Sequence, residues 1–319
     1  MTRRRFNPLI TFGVPLSGGG LIPCLGQEWH VDPKAAVFTP KHGFGDGMSY
    51  DNPFETLAEA LAACNTGDRI YVHGGVNEPS LVCSNLKFDV QVVGVGGLHH
   101  PDQPTSAYHP GSAMIRDTTD AGVNVTVRGR GWQFHNICFD APASYGAVQL
   151  SRNALSGTSE YDASHAVFSK CRFLSGKYGI DDNGGANNVI VDGCEFAGMT
   201  TAAIYGSSTA VANPRVWKIR NNYFPINISG LGNVCHVDLS LNESFVHDNF
   251  FGTVVSTGLY VNLTGGNGNI VTKNFLMGSY STDDYVSGTS DSWIGNTSID
   301  LDEDEVDSAT GTTVAVPAA

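Results

Sequence analysis

The sequence predicts an all-β solenoid, a coil of short stacked strands, and three observations point to it. Glycine accounts for 38 of 319 residues, while charged residues make up only 15%. That balance favours strands and turns over long helices. A short motif recurs six times between about residues 136 and 276 at near-constant spacing. A strand-like stretch precedes each copy, and another follows many of them.

Residues 1–28 read as an extended arm, rich in Gly and Pro and lacking any strand or helix period. A short strand is expected around Trp29–Val31, followed by the glycine-rich loop HGFGDGMSY. The stretch DNPFETLAEALAACNTGD predicts the one helix, over residues 53–64. Asn52 can cap it, Pro53 suits its first position, Glu55 supplies a capping acid, and Leu57, Ala58 and Leu61 form an apolar stripe. RIYVHGG and VQVVGVGG then read as strands.

The six copies are NICF, SKCRF, DGCEF, RNNYF, HDNFF and KNFL. They align Ile137, Cys171, Cys194, Asn222, Asn249 and Asn274, with Phe139, Phe173, Phe196, Phe224, Phe251 and Leu276 two residues on. Successive spacings are 34, 23, 28, 27 and 25 residues, and the long first gap leaves room for a loop. A period near 25 with several strands per repeat is the mark of a solenoid. Each turn then lays its strands on the turn below, and equivalent side chains form ladders. The Phe ladder is expected in the core, with Asn222, Asn249 and Asn274 bonding turn backbone and Cys171 and Cys194 filling the same buried slot. A coil has open ends, so the helix is expected to act as a lid at the N-terminal one.

The net charge of −13 excludes nucleic acid as the main partner, which would need a broad basic surface. Charge is unevenly spread: Arg3, Arg4 and Arg5 head the chain, no Lys or Arg follows Lys273, and residues 301–319 form an acidic tail. Seven cysteines without a CxxC pair argue against a disulfide framework or structural zinc. No histidine stands in a metal-ligand spacing and no phosphate-binding loop occurs, so neither a metal nor another cofactor is expected. No apolar run is long enough to insert in a membrane.

GDGMSYDNPFETLAEALAACNTGDRIYVHGG resembles the loop, cap helix and first strand that open many right-handed parallel β-helices of the pectin-lyase-like superfamily. GWQFHNICFDAPASYGAVQL and YGIDDNGGANNVIVDGCEF are similar to rungs of such coils in tailed-phage virion proteins. The resemblance covers roughly residues 29–300 and implies a single-stranded right-handed parallel β-helix with an N-terminal capping helix and arm. It also implies a virion structural protein, a capsid decoration or fibre, made in the host cytoplasm and trimeric as such coils tend to be. The arm would dock the body on a capsid or tail protein through Arg3, Arg4, Arg5, Phe6, Pro8 and Leu9. The rival reading is a lyase or glycoside hydrolase acting on a host-surface glycan.

The hydrolases of this superfamily pair carboxylates, one protonating the leaving oxygen and one activating water. The adjacent Asp181 and Asp182 invite that role, although strand neighbours point to opposite faces. His236 and Asp238 are expected to share a strand face, as a general-base pair or as a rim hydrogen bond. The lyase arginine motif Arg-x-Pro-x-x-Arg is absent; NPRVWKIR stands instead, read as a rung with a basic face. A net charge of −13 would repel a polyanionic substrate unless a local basic groove compensates.

Overall fold

The computed structural model describes residues 26–33, 45–96, 113–151, 163–206, 214–225, 235–252, 260–276, 285–286 and 289–298. They form a parallel β-helix. Every strand pairing among them is parallel, and the chain returns to each stack once per turn. Crossovers between parallel strands in one sheet are right-handed, which sets the hand of the coil.

Three stacks run along the body. The first holds ten strands, from Glu28–Val31 and Arg69–Val72 through Gln91–Gly94, Gln133–His135 and Val167–Ser169 to Ser292–Ile294. The second runs from Gly75–Asn77 to Thr297–Ser298, and the third from Leu81–Cys83 to Tyr285–Val286. The strand Arg172–Asp182 passes through both the second and the third without a break, with irregular register around Ser175 and Gly176.

Alternation decides what lies inside. The central residue of each first-stack strand points into the coil, so Ile70, Val92, Phe134, Phe168, Val191, Ile219, Val246, Val271 and Trp293 form one buried column. Opposite it, Phe139, Phe173, Phe196, Phe224 and Phe251 stack with ring centroids 5.0, 4.5, 5.1 and 4.8 Å apart. That spacing is the strand-to-strand distance, so face-on ring contact comes with the backbone pairing. Full burial of each ring contributes roughly 1.5–3 kcal/mol.

First-stack strands end in a tight left-handed corner. Asn136, Lys170, Asn221, Asp248 and Lys273 take φ between 53° and 56°, and Gly193 and Gly295 take 65° and 64°. Just past this corner Asn222, Asn249, Asn274 and Asn296 form a buried ladder. Each Nδ2 donates to the next Oδ1, at 3.0, 2.9 and 2.9 Å. Each Nδ2 also donates to the mid-strand carbonyl one turn back, on Val191, Ile219, Val246 and Val271. The cysteine thiols do the same: Cys171 donates to the Phe134 carbonyl at 3.3 Å and Cys194 to that of Phe168 at 3.5 Å. Asn and Cys share the slot because both can donate to that one carbonyl. The six described cysteines are free and buried, and burial pushes the Cys138 thiol up to about 12.

A second polar column lies before the same strands. Ser244 Oγ accepts from the Trp217 N–H, Asn269 Oδ1 from the Ser244 N–H, and Asp291 Oδ1 from the Asn269 N–H, at 2.8–3.0 Å.

The helix differs from the expectation. It spans Leu57–Ala63, not 53–64, and its N-cap is Thr56, not Asn52. Thr56 Oγ1 accepts from the Glu59 N–H and the Glu59 carboxylate accepts from the Thr56 N–H, so Glu59 holds the place expected of Glu55. The reason is tertiary. Phe54 is taken up by pairing with the first strand: its N–H donates to His30 O at 2.8 Å, its carbonyl accepts from Asp32 at 3.0 Å, and its ring stacks on Trp29. Glu78 accepts the N–H groups of Leu57 and Ala58, and Lys87 donates to the carbonyls of Leu61 and Ala62. Glu78 and Lys87 thereby supply partners of favourable charge at the N- and C-terminal ends of the helix. Gly26 and Gln27 already bond to Gly67 and Asp68, so the chain is fastened to the body ahead of the first strand.

Candidate active site

The third stack presents one row of side chains outward. Val148, Ile180, Ile204, Val237 and Val261 point into the core at matched register. The next residue of each strand therefore points out, giving the row Gln149, Asp181, Tyr205, Asp238, Asn262. It reads amide, carboxylate, phenol, carboxylate, amide.

Each outer amide holds one carboxylate. Gln149 Nε2 donates to Asp181 Oδ2 at 3.1 Å, and Asn262 Nδ2 donates to Asp238 Oδ1 at 2.9 Å. Asn262 is itself oriented, because its Oδ1 accepts from the backbone N–H and hydroxyl of Thr264. Both carboxylates are thus gripped from their far sides, with Tyr205 between them. Asp181 Oδ1 is buried, and no described residue bonds to it.

Tyr205 does not stand alone. Its ring lies on that of Tyr178, with centroids 4.3 Å apart and planes within 7°. The ammonium of Lys177 lies 5.1 Å from the Tyr178 centroid. Burial holds the carboxyls of Asp181 and Asp238 above the usual range. The Gln149 bond and the Lys177 charge partly offset this at Asp181, whereas only the Asn262 bond does so at Asp238. Both phenols are pushed up by burial first; the Asp181 charge follows at Tyr178 and the Tyr178 charge at Tyr205, with Asp238 adding to both.

Strands pair ~4.8 Å apart, so Asp181 and Asp238, two steps apart, are separated by roughly 9–10 Å at the backbone. Inverting glycosidases keep their two carboxyls roughly 6.5–9.5 Å apart, with room for a water between base and sugar. The row therefore carries two carboxylates of raised proton affinity whose backbone positions lie about as far apart as the upper limit for such carboxyls, beside a stacked aromatic pair.

The structure splits both pairs suggested by the sequence and brings together one member of each. Asp182 is buried behind the strand, where Oδ1 accepts the N–H groups of Gly184 and Ala186 and holds a turn. Burial raises its carboxyl to about 7. His236 does not share the face of Asp238. Alternation fails at the start of that strand, where Cys235, His236 and Val237 are all buried. The imidazole packs against Phe224, Phe251 and Tyr260 and meets the Gly252 carbonyl at 2.9 Å, and burial lowers it to about 4. Tyr205, Tyr178, Gln149 and Asn262 were missed by sequence reading; for Gln149, Tyr205 and Asn262 the signal was a polar residue following the apolar centre of the strand, whereas Tyr178 precedes Ile180 and carried no such signal. The proposed anchor residues Arg3, Arg4, Arg5, Phe6, Pro8 and Leu9 lie outside the described residues, as do Cys24 and the tail 301–319.

No His, Cys, Asp or Glu cluster among the described residues could hold a metal ion. No described helix is long and apolar enough to cross a membrane.

No family model matches the chain, and no curated protein matches it. Among solved structures it is similar to a pectate lyase, at 14% identity over 85% of this chain and 68% of that one, with a TM-score of 0.48. It is also similar to a DFA-IIIase from Arthrobacter chlorophenolicus, at 13% identity over 84% and 79% with a TM-score of 0.46. A pectin methylesterase from Aspergillus niger follows at 14% identity over 84% and 90%, with a TM-score of 0.42.

Proposed function

We propose that the chain is a glycan-cleaving β-helix, an inverting glycoside hydrolase working on the outer face of its third stack. One observation carries this: Asp181 and Asp238 stand on the same face, each held by one amide, with Tyr205, stacked on Tyr178, between them. An inert coil has no use for two half-buried carboxylates with raised proton affinity, because they cost stability and satisfy nothing in the core. For that reason the hydrolase reading is preferred to the virion structural role, which rests on the arm.

Lys177 assigns the roles. It acts on Asp181, favouring the ionised form, while Asp238 has no cation offsetting its burial. On that difference in surroundings we assign Asp238 as the general acid, giving its proton to the leaving glycosidic oxygen. Asp181 serves as the general base, taking a proton from the water that attacks the anomeric carbon from the opposite side. The C–O bond to the leaving sugar breaks as the new C–O bond forms, with inversion. The tyrosine stack offers an aromatic face to a sugar ring.

The test is a reducing-end assay of the full chain on a polysaccharide panel, with NMR of the anomer first released. Turnover with inversion is expected. General acid or base removal costs 10²–10⁴-fold, so Asp181→Asn and Asp238→Asn should each lose about that much while keeping the fold. Full activity in both variants would overturn the reading.

A further inference from the structure

Resting on the glycan-cleaving reading, we infer that the site takes an uncharged glycan, recognised by hydroxyl or amide groups, on the side running from Tyr205 to Asn262. The distribution of cations carries the inference. After Lys177 the chain has only Arg215, Lys218, Arg220 and Lys273. All four lie in or beside first-stack strands. Lys218 and Arg220 lie in one of its strands, and Lys273 follows another at its left-handed corner. Arg215 lies just ahead of the strand with Lys218 and pairs with Glu243 at 4.0 Å. Arg220 is spent on Asp192 at 2.9 Å.

The segments that join third-stack strands to their neighbours beyond Asp181 are equally telling in composition. Residues 207–213, 226–234, 253–259 and 277–284 contain no Lys or Arg, and their only charges are Asp283 and Asp284. Whatever path they take, they bring no cation to this face. Arg128 leaves the stack two strands before Asp181, so it lies on the other side of the row.

Among the described residues, no cation acts on Asp238, so a uronate bound beside it would face a carboxylate without a described counter-charge, in a chain already at −13. Recognition of anionic sugars needs Arg or Lys forks, or a bridging divalent cation. A neutral sugar meets no such barrier. It finds the Tyr205 ring, the Asn262 amide and the Thr264 hydroxyl instead.

The experiment compares the full chain on neutral polysaccharides, plain and N-acetylated, with polygalacturonate and alginate, each with calcium and with EDTA. Cleavage of at least one neutral glycan, at least 100-fold faster than either polyuronate under both conditions, is expected. Comparable or faster cleavage of a polyuronate, with or without calcium, overturns the inference and leaves the hydrolase reading standing. Cleavage of nothing, together with no glycan binding by the wild-type chain, overturns the hydrolase reading and this inference with it.

Discussion

Two of the polar columns along this coil differ in what their hydrogen bonds accomplish. The column Asn222, Asn249, Asn274, Asn296 is buried, and each amide closes on the next and on a strand carbonyl. The column Gln149, Asp181, Tyr205, Asp238, Asn262 is half exposed, and its bonds hold carboxylates without neutralising them. Both follow from the same stacking of equivalent positions. A ladder that satisfies itself supports the fold, whereas one that leaves proton affinity unspent on the surface is available for chemistry.

The comparison makes opposite demands on variants. Asp181→Asn and Asp238→Asn should remove about 10²–10⁴-fold of glycan turnover, equal to roughly 3–5 kcal/mol of barrier. Their denaturant midpoints should stay near wild type. Asn249→Ala should do the reverse. It strips partners from Asn222 N–H and Nδ2 and from the Ile219 carbonyl, all buried. Leaving such groups unpaired costs about 3 kcal/mol in total, visible as a lower denaturant midpoint, with residual folded protein still active. If Asn249→Ala leaves the midpoint unchanged, the ladder does not stabilise the coil.

Asp182 sits between the two cases, a buried carboxyl within bonding distance of its neighbours but with no counter-charge. Its folded value, about 7, lies above the ordinary 3.8. The folded state therefore binds its proton more tightly than the unfolded one. That contribution is complete below about pH 4 and is lost as pH rises through 7. Asp182→Asn should flatten the fall in denaturant midpoint between pH 4.5 and 7.5; an unchanged slope would show that another group governs it.

The subtlest test concerns Lys177. Its charge lowers the Asp181 proton affinity, so Lys177→Met should move the acid limb of the kcat/KM profile to higher pH. A shift confined to the alkaline limb would exchange the roles assigned to Asp181 and Asp238.

Much of the scaffold was legible because a solenoid writes its geometry as a period. One Phe and one Asn or Cys per turn, at near-constant spacing, identified both the core column and the buried ladder. The second ladder was equally readable in principle: Ser244, Asn269 and Asp291 stand five residues before Asn249, Asn274 and Asn296. The helix boundary was not, because Pro53 and Asn52 carry good local signals that strand pairing by Phe54 overrides.

By itself, then, the sequence determined the coil, its rung period and the partnership of ladder residues, since these depend on repetition along one chain. Tertiary structure decided which candidate acids meet. Asp181 and Asp182 are neighbours in sequence but lie on opposite sides of a strand, as alternation requires. Asp181 and Asp238 lie two turns of the coil apart in sequence but only two strand spacings apart in space, on one face. Register across turns sets that meeting, and register is a property of the stacked strands together.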